Sequence, residues 1–119
     1  MKKFYIAGPF RATTAWLVEQ NIRRAERVGL KVACLGAIPF IPHTMYRFFD
    51  GEKDGQFWID ATMELLRCCD AIILLEGWGG SEGSRGEYEE AKKIGMPIFD
   101  LELLTLAEVN DWIEEQNND

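Results

Sequence analysis

Short runs of consecutive apolar residues alternate along the chain with longer stretches in which apolar positions recur every three or four residues. The first run, Phe4 to Ala7, predicts a buried strand over 3–7 that ends at Gly8-Pro9, where proline offers no N–H to a sheet ladder. Phe10 and Arg11 fall in the loop behind it. Val18, Ile22, Ala25, Val28, Val32 and Leu35 then share one helical face, with Thr13 or Thr14 as cap and charged residues between them. Gly29 interrupts that face at about 1 kcal/mol relative to alanine. One alternative therefore ends the helix at Gly29 and makes 31–35 a strand. The apolar phase continues through Gly29 unbroken, which favours one long helix closed by Gly36.

Ala37 to Ile41 reads as a second strand, and Pro39 and Pro42 suit it to a sheet edge. Residues 43–55 read as a polar and aromatic loop without periodicity. The helical pattern returns at Gln56, with Asp54 as cap and Phe57, Ala61, Leu65 and Cys68 on one face. Ala71 to Leu75 is a continuous apolar run of the kind a central parallel strand shows, with Asp70 at its start. A glycine-rich loop over 77–83 leads into a helix over 84–94, stopped by Gly95 and Pro97. Residues 97–101 predict a fourth strand. Thr105 to Gln116 predicts the last helix, opened by the capping box Thr105-Leu-Ala-Glu108, and the tail Asn117-Asn118-Asp119 is expected to fray.

Strand and helix alternate throughout, which implies an α/β domain with a parallel sheet, helices on both faces and right-handed crossovers. With strand order 2-1-3-4 the switch point lies between strands one and three, and ligands bind beyond the strand ends there. The loops at that point are Gly8 to Arg11 and Gly77 to Arg85. Loop chemistry and topology select the same place.

The length of 119 residues allows one domain and one core. A net charge of −7 with no basic stripe argues against a nucleic-acid partner. Three cysteines, two of them adjacent, and a single histidine make neither a disulfide framework nor a zinc site, which fits a reducing, cytoplasmic setting. The N-terminus reads as a first strand and not a signal peptide. No apolar run approaches the roughly 18 residues that would cross a bilayer, so no membrane partner is expected.

Glu87 is the leading candidate for chemistry, as nucleophile or general base. An equally strong reading makes it the third residue of a capping box, Ser84-Arg-Gly-Glu87, where the helix dipole also favours a carboxylate. The loop Gly77-Trp78-Gly-Gly-Ser81-Glu-Gly83-Ser84 can bring backbone N–H groups to a phosphate or to sugar hydroxyls, or it can be a plain flexible connection. It is neither a P-loop nor the dinucleotide fingerprint. Asp70 is a strand-start anchor or a site residue. Asp60 and Glu64 are a possible carboxylate pair, more often surface. His43 stands just past a strand end, and Tyr5 is either core or a hydroxyl offered to a ligand. Arg11 and Arg85 are the nearest cations. Of the four tryptophans, Trp78 is the one placed to stack on a base, and core packing accounts for Trp16, Trp58 and Trp112.

Three pieces of the chain resemble the nucleoside 2-deoxyribosyltransferase superfamily, which includes the 2′-deoxynucleoside 5′-phosphate N-hydrolases. They are Tyr5-Ile-Ala-Gly8-Pro9-Phe10-Arg11, Asp70 before the third strand, and Ser81-x-Gly83-x-x-x-Glu87 running into Glu90-Ala91. The likeness spans about residues 3 to 100 and is strongest to a short branch of that group, in which the segment from Gly36 to Pro42-His43 also has a counterpart.

The resemblance implies a flavodoxin-like three-layer sandwich of four to five parallel strands, order 2-1-3-4, over 1–119 as one domain. It implies cleavage or exchange of an N-glycosidic bond, with Glu87 attacking the anomeric carbon, Tyr5 orienting the carboxylate or the sugar, and Ser81 with Arg11 at a 5′-phosphate. Gly8, Pro9, Phe10, His43, Gly77, Trp78, Gly83 and Ser84 would complete the binding site. The chain lacks the extended C-terminal region from which a neighbouring subunit often completes the site in the transferases, which favours hydrolysis over transfer. It also leaves Asp70 or Asp60 to protonate the departing base. The expected partner is a small nucleoside or nucleotide, the expected assembly a homodimer or higher homo-oligomer, and no metal or organic cofactor is required. The same pocket also fits a non-catalytic nucleotide-binding or sensor domain, and a third reading is a plain assembly subunit.

Overall fold

A computed structural model describes residues 1–49 and 51–118. Its sheet has four parallel strands, β1 (Lys3–Ala7), β2 (Ile38–Phe40), β3 (Ala71–Leu74) and β4 (Ile98–Asp100), in the order β2-β1-β3-β4. Tyr5 of β1 stands opposite Ile72 of β3 and Phe40 of β2. The helices are α1 (Ala15–Cys34), α2 (Pro42–Met45), α3 (Gly55–Arg67), α4 (Glu82–Lys93) and α5 (Leu106–Asn117), with one 3₁₀ turn at Trp78–Gly80. The flavodoxin-like α/β architecture expected from the strand order is the one observed.

Side chains of β1 and β3 alternate between two cores, as the period of two along a strand requires. Phe4, Ile6, Ala71 and Ile73 pack with α1 and α5 through Ala25, Val32, Val109 and Ile113. Tyr5, Ala7, Ile72 and Leu74 pack with α3 and α4 through Leu66 and Ala91. Both central strands are buried on both faces, hence their unbroken apolar runs.

Helix α1 runs through Gly29, capped by Thr14, whose hydroxyl accepts from the Leu17 N–H at 3.2 Å, and stopped at Gly36 with φ +92°. The glycine is there for packing: a Cβ at position 29 would lie 2.4 Å from Ile41 Cδ1, so the helix crosses β2 and its exit closely. Asp54 caps α3 and accepts from the Phe57 N–H at 2.9 Å. The capping box at Thr105 opens α5. Asn118 caps that helix where fraying was expected, and Asp119 lies outside the described residues.

Several boundaries differ from expectation. The strands β2, β3 and β4 are shorter than the apolar runs that predicted them. The stretch after Ile41 is not all loop: Pro42 starts the short helix α2, because proline suits a first helical position. Helix α4 begins at Glu82, not Ser84, because Ser81 is the residue whose hydroxyl takes the Ser84 N–H, at 3.2 Å.

Candidate functional site

The earlier start of α4 changes the standing of Glu87. It is the sixth residue of the helix rather than the third, beyond the first turn where capping and the dipole act. The capping-box explanation of Glu87 is therefore incorrect, and Ser81 holds the cap. Glu87 instead projects from α4 toward the strand ends, where its Oε2 accepts a hydrogen bond from the Tyr5 hydroxyl.

Tyr5 is completely buried in β1. Burial and the neighbouring Glu87 carboxylate push its phenol well above the ordinary range, so it stays protonated and donates. Thr62 of α3, whose hydroxyl donates to the Ile59 carbonyl at 3.0 Å, flanks the phenol. Burial raises Glu87 to about 7, and the Tyr5 hydrogen bond opposes that rise. Protein crowds the carboxyl while part of the residue faces a cleft. At neutral pH the group is thus close to an even mixture of acid and carboxylate.

The cleft has a volume of about 690 Å³, within the range of small-molecule sites. Its floor is Tyr5, Ile6 and Glu87. One rim is Gly8, Pro9, Phe10 and Arg11, and another is Gly80 to Ser84 at the N-terminus of α4. His43 of α2 closes a side: its Nε2 lies 3.1 Å from both the Gly8 and Pro9 carbonyls. Burial lowers the His43 pKa, and because both neighbours are carbonyl oxygens, Nε2 is the ring nitrogen that donates to them. Gly8 is required for the rim itself, since a Cβ there would lie 2.7 Å from Leu75 Cδ1 and 2.8 Å from its Cβ. Ser84 is almost fully buried at the cleft, and its Oγ has no hydrogen-bond partner in the protein.

Of the residues singled out in the sequence, Tyr5, Gly8, Pro9, Phe10, Arg11, His43, Ser81, Gly83, Ser84 and Glu87 all line this one cleft. Asp70, Gly77, Trp78, Asp60 and Arg85 do not. Asp70 lies at the opposite end of β3, where its Oδ2 accepts from the Lys3 N–H at 2.8 Å and anchors the start of the sheet. Gly77 turns the chain with φ +86° beneath Pro9. Trp78 is directed away from the cleft, stacked on Tyr88 at 4.8 Å against the α3–α4 core. Asp60 is exposed and accepts from Gln56, outside the cleft lining, and Arg85 donates to the Gly79 carbonyl at 2.9 Å. Glu82 and Glu87 are the carboxylates among the described cleft residues.

A second set of lining residues went unrecognised in the sequence: Tyr46, Trp58, Ile59, Thr62 and Met63. They come from the stretch after α2 and from the face of α3 turned toward the strand ends. Their signal was present as Trp58 and Thr62, four apart and so on one helical face, but that face was not the apolar one.

Residues 2–101 match the family described as a domain of unknown function, DUF7768, and the chain belongs to that family. No curated protein matches the chain.

Proposed function

We propose that this member of the DUF7768 family processes nucleosides or nucleotides by cleaving or exchanging the N-glycosidic bond, with Glu87 as nucleophile. The observation that carries the reading is the Tyr5–Glu87 pair: a half-buried carboxylate, free of any capping duty, held by a phenol donor at the floor of a cleft beyond the central strand ends. The resemblance to the deoxyribosyltransferase and N-hydrolase superfamily points to the same residue.

The chemistry follows from the charge. As the C1′–N bond breaks, its electron pair leaves with the base, and positive charge develops on the sugar ring. A desolvated carboxylate next to that charge is stabilised more in the transition state than in the resting site, which lowers the barrier. Glu87 then bonds to C1′ as a glycosyl ester, the base nitrogen takes up a proton, and water attacks C1′ to release the sugar and restore the carboxylate. Attack by a second base in place of water gives exchange. The Tyr5 hydroxyl occupies one lone pair of Oε2 and fixes the carboxyl, leaving the other oxygen for the sugar.

A 5′-phosphate fits the N-terminus of α4, where Gly83 lets backbone N–H groups approach, the helix dipole favours an anion and Ser84 Oγ lacks a protein partner. Arg11 on the facing rim supplies positive charge. The alternative, a nucleotide-binding or sensor domain without turnover, uses the same cleft with the Tyr5–Glu87 bond as a structural contact. Chromatography of free base, with wild type and Glu87→Gln, separates the two: turnover that Gln abolishes supports the enzyme, and binding without any base release supports the sensor.

A further inference from the structure

We propose that Tyr46 and Trp58 form the platform on which the planar heteroaromatic base stacks, so that this aromatic wall, and not the glycine loop, recognises the leaving group. The inference rests on the reading of the cleft as a nucleotide site and assigns its base subsite.

Four observations meet at these two rings. Both line the cleft that holds Glu87, and both also line an adjoining apolar hollow of about 490 Å³ with Phe49, Phe57 and Ala61. The ring pair is therefore the partition between the two spaces. The Tyr46 and Trp58 centroids are 4.9 Å apart with planes inclined at 47°, and Phe57 packs edge-on against Trp58 at 4.9 Å, which holds the indole in place. Trp58 stands four residues before Thr62 on α3, and Thr62 flanks the Tyr5 phenol. One helical turn, about 5–6 Å between Cβ atoms, thus separates Trp58 from the residue that flanks the Tyr5 phenol.

The surroundings complete the argument. Phe49 is 50% exposed and Phe57 41%, and both line the adjoining hollow, so the Tyr46–Trp58 pair stands within a partly exposed aromatic group. The cleft is polar at the α4 end and aromatic at the α2–α3 end. A nucleotide has the same polarity, phosphate at one end and a flat ring at the other. Trp78, the other tryptophan near these loops, is not among the residues that line the cleft.

The test is calorimetric titration of deoxyadenosine monophosphate and of 2-deoxyribose 5-phosphate into wild type, Trp58→Ala, Trp58→Phe and Tyr46→Ala. Stacking predicts that Trp58→Ala weakens the nucleotide roughly 10-fold or more, that the sugar phosphate changes less than twofold, and that Trp58→Phe keeps most of the affinity. Tyr46→Ala follows the pattern of Trp58→Ala to a smaller degree. Equal weakening of both ligands, or of neither, overturns the platform. Base release from wild type alongside such a result leaves the proposed reaction standing. Nucleotide binding that depends on Trp58, without base release, keeps the platform and removes the reaction. If neither ligand binds wild type, both proposals fall.

Discussion

The Tyr5 hydroxyl donates to the Glu87 carboxylate across the join between the first strand and the fourth helix, 82 residues apart in sequence. That bond ties a fully buried strand residue to the one cleft carboxylate raised to about 7. The phenol opposes the rise that burial imposes on that carboxyl.

The first consequence is for stability. Glu87 has its folded pKa raised from 4.5 to about 7, so the folded state holds a proton that the unfolded chain releases between those values. Stability from this group is intact below about pH 4.5, falls as pH rises toward about 7, and stays reduced above. The displacement corresponds to roughly 3 kcal/mol. Glu87→Gln, which cannot ionise, should gain on wild type by a few kcal/mol at pH 8.5 and by much less at pH 4.5. Urea midpoints at the two values check this, and an equal difference at both contradicts it.

Tyr5→Phe removes the donor that opposes the rise of Glu87. The carboxyl should then titrate at a pH higher than in wild type, moving the acid limb of kcat/KM upward. A hydrogen bond to a charged group contributes about 1.5–3 kcal/mol, so activity at pH 7 should fall roughly 10- to 100-fold. A pH–rate profile with an unmoved acid limb argues against the pair as a working unit.

How much of this was legible from sequence differs by element. Helix α1 and the Asp54 and Thr105 caps follow from periodicity and capping chemistry, because neighbours in sequence determine them, whereas the strand order came from the resemblance. Ser81 and Ser84 both precede the α4 pattern, and local sequence does not decide which one caps. That choice, settled by the Ser84 N–H bonding to Ser81 Oγ, moved Glu87 out of the first turn. Trp58 lines the cleft and Trp78 does not, for a tertiary reason: Gly77 takes a left-handed conformation, and Trp78 lies against Tyr88. Asp70 was placed near chemistry by its nearness in sequence to the glycine loop, yet a parallel strand separates its two ends, and Asp70 is at the end away from the cleft.

Ser81→Ala removes the hydroxyl that accepts from the Ser84 N–H. Loss of an N-cap costs about 1 kcal/mol, and thermal unfolding should show it. Affinity for a nucleoside monophosphate should fall more than affinity for the matching nucleoside, since the disturbed turn is the proposed phosphate seat. Equal losses for both ligands contradict that seat.

Gly8→Ala sets a methyl group 2.7–2.8 Å from Leu75, with the Leu75 Cβ among the atoms met. Overpacking of this kind costs roughly 1–3 kcal/mol. The variant should melt below wild type, and its loss should be less than additive with that of Leu75→Ala, which removes the Cδ1 contact. Strict additivity of the two losses contradicts the contact as the cause.

The most direct test of the account is chromatography of free base after incubating wild type and Glu87→Gln with the common nucleosides and deoxynucleoside monophosphates. The account predicts base release by wild type from at least one of them, and a loss of at least about 10³-fold in Glu87→Gln, with fold and ligand affinity retained. Base release that is the same in both proteins, or absent from wild type across the whole panel, contradicts it.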